Sequence, residues 1–135
     1  MKPNHRLAAG SITRARRDID TARTLIANSK FDWSLAVSYN AMLAARRALM
    51  FERGYRPSST ESHAAVVKFL HAALGTEARD RTAMIMNGMR KKRHRIVYEE
   101  MDIVSEDEAE QAVKWAEEFV KRISKIIHDS EQKMS

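Results

Sequence analysis

Apolar residues recur at alternating spacings of three and four positions at the start of the chain. This stripe consists of Ala8, Ile12, Ala15, Ile19, Ala22 and Ile26. The spacing places one side chain per helical turn on the same side, so it predicts an amphipathic helix over residues 5–28. Asn28 and the two residues after it end the pattern, and Asp32 is the predicted N-cap of the next helix.

A second predicted helix, over residues 33–53, is apolar on almost every side. A helix without a polar side is typical of a bundle centre or an interface, and its many alanines permit close helix approach. Gly54 is predicted to end it, because a left-handed residue commonly closes a helix. Residues 55–60 form a predicted loop.

Three further helices are predicted in the second half of the chain. The third covers residues 61–74, ends at Gly75 and turns inward Ala65, Val66, Phe69, Leu70 and Ala73. The fourth starts near Thr76, whose hydroxyl can cap it, and turns inward Ala83, Met84, Ile85, Met86 and Met89. The fifth covers residues 106–128 and begins with a Ser105–Glu108 capping box. Residues 129–135 are predicted to be a frayed polar tail.

These elements predict an all-α fold, an antiparallel up-and-down bundle of four to five helices. Short connections favour antiparallel neighbours. At 135 residues the chain is expected to form a single domain, 1–135, with its core in residues 5–128. Only 4 glycines and 2 prolines agree with a helical protein.

Composition excludes several classes of protein. The apolar share of 44% and the charged share of 31% are those of a globular domain, and no apolar run approaches the ~20 residues of a membrane span. The N-terminus lacks the pattern of a signal peptide, so a cytoplasmic location is expected. Without cysteine there is no disulfide and no thiolate chemistry. We expect neither a metal ion nor a cofactor.

Charge is concentrated in the segment that we call the basic cluster, residues 90–95. It consists of Arg90, Lys91, Lys92, Arg93, His94 and Arg95. Acidic residues follow between positions 99 and 110, and the net charge of the chain is +6. Such a run is often only a solvated helix surface. It also favours a polyanionic partner, RNA or a phosphate-bearing nucleotide.

The chemistry available to this cluster is limited. The chain has no Gly-rich phosphate loop, no nucleophile elbow and no zinc-binding helix motif. RNA cleavage without a metal needs a cation at the phosphate and a base for the 2′-hydroxyl proton, roles that suit Arg93 and His94. Tyr98 is a poor base at neutral pH. On a continuous helix Arg93 and Tyr98 are about 140° apart, so they meet only if the helix frays or a second subunit completes the site.

The sequence resembles the small prokaryotic HEPN-domain proteins from about residue 5 to residue 127. The segment 33–42, with Trp33 at its start and Ala-Met at its end, is similar to the family's second-helix signature. Tyr39 and Asn40 occupy the places of the signature's aromatic pair. Segment 90–98 is similar to the family's arginine-containing motif, and segment 108–119 to its last helix. In that motif Arg93 matches the arginine, His94 the polar residue after it, and Tyr98 the position where catalytic relatives carry histidine.

The resemblance implies a dimerising helical bundle, often encoded beside a minimal nucleotidyltransferase, with relatives that include metal-independent ribonucleases and toxins. It implies tentative catalytic roles for Arg93, His94 and Tyr98. The residues expected to bind RNA or nucleotide are Arg90, Lys91, Lys92, Arg95 and Tyr39. Tyr98 is also a candidate for nucleotidylation by a partner enzyme.

Three functions follow as alternatives. The first is an RNA- or nucleotide-binding component of a two-gene, toxin–antitoxin-like system whose ribonuclease activity is weak or absent. The second is an active metal-independent endoribonuclease toxin that uses Arg93 and His94. The third is a purely structural or interaction bundle with a solvated basic helix end. We rank binding above cleavage, because Tyr98 stands where catalytic relatives carry histidine.

Overall fold

The computed structural model describes residues 2–56, 63–74 and 76–134. Within these ranges the chain forms helices and no strand, which confirms the predicted all-α bundle. The helices are α1 (His5–Ala27), α2 (Phe31–Glu52), α3 (His63–Leu74), α4 (Thr76–Tyr98) and α5 (Glu106–Met134). None of the described helices combines the length and the apolar composition that a membrane crossing requires.

Helix α2 is the centre of the bundle, as its apolar sequence predicts. It packs against α1, α4 and α5, while α3 packs against α4. Small residues allow the close approach of α1 and α2: Ala8, Ala15 and Ala22 are fully buried. Ser34 Oγ donates a 2.8 Å hydrogen bond to the carbonyl of Ala22, which satisfies a polar group inside this seam.

Two helix ends follow the predicted turn chemistry. Gly54 has a φ of 80°, a left-handed conformation that glycine adopts without strain, and it follows the end of α2 as predicted. The Ser105–Glu108 capping box is confirmed at α5. The backbone N–H of Glu108 donates to Ser105 Oγ at 3.1 Å, and the N–H of Ser105 donates to Glu108 Oε1 at 3.3 Å. The predicted loop beyond Arg56 and the Gly75 end lie outside the described residues, and the predicted capping hydroxyl of Thr76 lies outside the described side chains.

The prediction that Asp32 caps α2 is wrong. The helix begins two residues earlier than predicted, at Phe31, whose side chain packs against the core; Lys30 is the N-cap and makes no side-chain capping bond. The Asp32 carboxylate instead accepts three backbone N–H groups of the α4–α5 connection. The donors are Asp102 at 2.7 Å, Ile103 at 3.1 Å and Val104 at 3.0 Å.

Among the side chains that the structure describes, two predicted inward residues are exposed; the predicted inward side chains of Val66 and Ala73 lie outside this described set. Met84 is 70% exposed, because five apolar residues between positions 83 and 89 cannot all face inward on a helix of 3.6 residues per turn. Ala65 is exposed on α3, where the main packing partner is α4 alone.

The fifth helix ends later than the predicted residue 128, since α5 continues to Met134. Its last turns consist largely of good helix formers, and Glu131 lies beside His5 at the start of α1.

Candidate functional site

The basic cluster lies on the last turns of α4, which remain helical through Tyr98. Met89 and Ile96 are buried and define the inward side of this segment. Because successive residues are about 100° apart around a helix, the cationic side chains spread over the remaining sides. Arg93 projects toward α2, whereas His94 and Tyr98 lie on the exposed side.

Arg93 packs against Tyr39 in the seam between α2 and α4. Its guanidinium carbon lies 6.0 Å from the centroid of the Tyr39 ring, within the range of a cation–π interaction. Burial raises the pKa of the Tyr39 hydroxyl above its ordinary value, and the positive charges of Arg46, Arg90 and Arg93 partly oppose this shift. At neutral pH the hydroxyl is therefore protonated, and three guanidinium groups lie near a neutral phenol.

Arg46 belongs to this site although the sequence alone indicates no role for it. It is buried on α2, seven residues after Tyr39, and so lies on the same side of the helix two turns later. A buried arginine in an apolar helix is expensive to desolvate and is typical of a structural or binding requirement. The signal in the sequence is the interruption of the apolar α2 pattern by Arg46 and Arg47.

The exposed side of α4 carries an aromatic pair. The rings of His94 and Tyr98, one helical turn apart, are in contact in a tilted arrangement, with centroids 4.9 Å apart and a 44° angle between ring planes. Tyr98 is 73% exposed. His94 Nε2 lies 3.9 Å from a carboxylate oxygen of Glu99. Lys91 is exposed on the same side, and within the described ranges no carboxylate pairs with it.

The remaining cations of the basic cluster interact with neighbouring polar side chains. Arg95 pairs with Glu100 at 3.0 Å, and Lys92 pairs with Glu108 of α5 at 3.3 Å. Arg90 donates to the side-chain oxygen of Asn87 at 2.9 Å. The acidic segment therefore folds back toward the basic cluster and neutralises part of its charge.

The geometry separates the residues that a cleavage reaction would need together. Arg93 contacts Tyr39, and Tyr98 contacts His94, while Arg93 and Tyr98 share no contact in the described part of the chain. This agrees with the separation of about 140° expected on a continuous helix. A single chain thus presents two neighbouring surfaces: a half-buried guanidinium beside a phenol, and an exposed aromatic pair with lysine.

Comparison with known protein families finds a match to the family described as HEPN domain, over residues 8–127. The matched range begins in α1 and ends in α5, so it includes both surfaces. Comparison with curated proteins finds no match.

Proposed function

The chain belongs to the HEPN family, and from this premise we propose that it is an RNA- or nucleotide-binding protein whose ribonuclease activity is weak or absent. It acts as the HEPN component of a two-gene, toxin–antitoxin-like system with a minimal nucleotidyltransferase. The observation that carries the proposal is the exposed His94–Tyr98 ring pair at the end of the basic cluster.

Single-stranded RNA is recognised by stacking of unpaired bases on aromatic rings and by cations that follow the phosphates. The exposed side of α4 offers both kinds of contact. Tyr98 and His94 form the stacking surface, and Lys91 and Arg95 lie within a turn of it. We name these four residues the α4 binding surface.

The ion pairs at this surface do not prevent phosphate binding. Both side chains of the Arg95–Glu100 pair are nearly half exposed, at 44% and 47%. Solvent-exposed pairs contribute about 0–1 kcal/mol, so a phosphate can replace the carboxylate at small cost. The acidic segment then acts as a competitor that reduces non-specific binding of polyanions.

Weak cleavage follows from the separation of the two surfaces. A metal-independent reaction needs a base and a phosphate-holding cation at one phosphate. His94 points to solvent, whereas Arg93 packs on Tyr39. Tyr98 stands where catalytic relatives carry histidine, and a phenol is a poor general base at neutral pH.

The same end of the bundle supports the proposed homodimer and the nucleotidyltransferase partner. Large apolar side chains are exposed there: Trp33 at the start of α2, Val97 at the end of α4, and Met101 in the connection to α5. Exposed apolar clusters beside polar residues are typical of protein interfaces. Light scattering of the purified chain is expected to give the mass of two copies.

The proposal predicts that loss of Tyr98 weakens RNA binding more than loss of a single cation. Tyr98→Ala is expected to cost roughly 1–3 kcal/mol, because it removes one stacked base. Lys91→Ala is expected to weaken binding less than Tyr98→Ala. It should also reduce the slope of log affinity against log salt concentration by about 1, because one phosphate contact is lost. Gel shifts with single-stranded RNA at two salt concentrations measure both effects, with EDTA present and RNA integrity checked in every lane.

Lys125→Ala is the matched control, because Lys125 is an exposed lysine on α5 far from the α4 binding surface. The affinity of Lys125→Ala for single-stranded RNA should equal that of the unmodified chain. Absence of binding at low salt would overturn the proposal. Cleavage that disappears in both Arg93→Ala and His94→Ala would instead favour the endoribonuclease.

A further inference from the structure

Three side chains from three helix ends converge on the bundle surface. His5 begins α1, Glu52 ends α2 and Glu131 lies near the end of α5. His5 Nδ1 is 2.8 Å from Glu52 Oε2 and 3.5 Å from Glu131 Oε1. One ligand atom from each residue lies within 4.8 Å of the other two. We call this group the His5–Glu52–Glu131 cluster.

Glu52 is the unusual member of the cluster. Its side chain is 1% exposed, and its second carboxylate oxygen, Oε1, accepts no hydrogen bond from any described residue. Burial of a carboxylate is costly unless charges and hydrogen bonds compensate it. A protonated His5 carries one positive charge, whereas the two carboxylates carry two negative charges. The burial of the Glu52 carboxylate and the excess negative charge of the cluster both favour a cation.

We propose that the His5–Glu52–Glu131 cluster binds a divalent transition-metal ion, with Zn²⁺ as the expected occupant. One imidazole nitrogen and two carboxylate oxygens suit Zn²⁺, whereas Mg²⁺ and Ca²⁺ prefer oxygen ligands alone. This departs from the absence of a metal expected from the sequence, where 47 positions separate His5 from Glu52 and no zinc motif links them.

The distances suit such an ion. Tetrahedral zinc with bonds of about 2.0–2.2 Å places neighbouring ligand atoms roughly 3.4 Å apart. The separation between His5 and Glu131 is already 3.5 Å. The 2.8 Å hydrogen bond between His5 and Glu52 has to lengthen by about half an ångström as the metal replaces the shared proton.

The three proposed ligands differ in how exposed their side chains are, and so in their expected roles. The side chains of His5 and Glu131 are 45% and 42% exposed, which leaves a path for the ion and room for a water ligand in the fourth position. Glu52 anchors the ion from the buried side. The ion would join α1, α2 and α5 at one end of the bundle.

This site is distinct from the α4 binding surface and from the Tyr39–Arg93 contact. A rise of about 1.5 Å per residue places Glu52 about 20 Å from Tyr39 along α2. Metal binding can therefore be tested without reference to RNA, and its failure would leave the proposed function unaffected.

The test is calorimetric titration of the full chain with Zn²⁺ after removal of bound metal by a chelator and dialysis. We expect one Zn²⁺ per chain and a higher unfolding temperature in its presence. Changes in ligand-supporting groups alone cost 10–100-fold in metal affinity, so loss of a ligand in His5→Asn or Glu131→Gln is expected to cost at least roughly tenfold. Both ligands are partly exposed, so both variants are expected to fold.

Glu118→Gln is the matched control, because it removes an exposed carboxylate from the same helix as Glu131. It should bind Zn²⁺ like the unmodified chain, and Mg²⁺ should give no comparable binding. Absence of Zn²⁺ binding would overturn the proposal. Binding that His5→Asn and Glu131→Gln leave unchanged would overturn it equally, since the cluster would then be only an ion pair.

Discussion

Tyr39 is the residue at which the bundle core meets the basic cluster. Its ring is buried in the α2–α4 seam, and the Arg93 guanidinium lies over it. The contact holds a cation beside a neutral hydroxyl, because burial keeps the phenol protonated. Arg93 is thereby restricted to one side of α4, and its separation from Tyr98 results from packing as well as from helix geometry.

A tyrosine titration tests this arrangement. Tyr39 is expected to ionise at a pH above that of an ordinary tyrosine, because burial is the largest cause of its raised pKa. Arg93→Ala should raise the pKa of Tyr39 further, since it removes a nearby positive charge that stabilises the phenolate. The measurement is absorbance near 295 nm against pH, with Tyr39→Phe to identify the contribution of Tyr39 among 3 tyrosines.

The linked effect on stability has a definite sign. A group whose pKa is raised by folding contributes stability that is fully present below its unfolded pKa, here about pH 10. That contribution is lost as the pH rises through the folded pKa.

Arg95→Ala is the control for the tyrosine titration, because Arg95 is not among the charges that act on Tyr39. Equal titration of Arg93→Ala and the unmodified chain would contradict the contact.

The individual residues of the candidate site are only partly predictable from the sequence. The basic cluster and Tyr98 stand out in the sequence, and the helical repeat predicts that Arg93 and Tyr98 face different sides. The pairing of Arg93 with Tyr39 depends on the register between α2 and α4, which no local pattern encodes. For the same reason the roles of Arg46 and Glu52 are not predictable: the charge of Arg46 only interrupts an apolar pattern, and the significance of both residues comes from their burial.

Asp32 connects two elements that are distant in the sequence. Its carboxylate accepts backbone N–H groups from three consecutive residues, 102–104, and so positions the connection between α4 and α5. Asp102 has a left-handed φ of 56°, a conformation that carries a small cost for a non-glycine residue. The carboxylate compensates this cost with charge-assisted hydrogen bonds.

We predict that Asp32→Ala destabilises the fold by about 1–3 kcal/mol, because the part-buried N–H groups of Ile103 and Val104 lose their acceptor. Urea unfolding measures this change, and amide hydrogen exchange should show reduced protection at residues 102–104. Asp20→Ala is the control: its carboxylate is 79% exposed, and exposed substitutions usually stay within about 0.5 kcal/mol. Equal stability of the two variants would show that the Asp32 contacts do not hold the connection.

The helices themselves are largely predictable from the chain. The spacing of apolar residues identifies the stripes of α1 and α5, and Ser105 with Glu108 identifies the start of α5. The incorrect predictions occur where tertiary contacts determine a helix end or a side chain's partner. Asp32 has the sequence signature of a cap, but its acceptor oxygens are used 70 positions away. The end of α5 is polar, but it lies beside α1 and stays helical.

At the scale of the whole molecule, α2 links the two candidate sites. Its first half carries Tyr39 against α4, and its last residue, Glu52, meets α1 and α5. The helix is buried along nearly its whole length, so its own packing keeps both sites in place. Because one core cluster includes residues of every described helix, we expect the bundle to unfold as a single unit.

Leu49→Ala tests this expectation at the centre of the bundle. Leu49 is fully buried, and truncation of a buried leucine costs about 2–5 kcal/mol through lost burial and a cavity. Circular dichroism and tryptophan fluorescence during urea unfolding should report one coincident transition, shifted to lower urea. Leu7→Ala, at a site 46% exposed, should leave the midpoint nearly unchanged. In a single domain, loss of α2 packing should unfold every helix that contacts α2 in the same transition. Two separated transitions would therefore contradict a single domain.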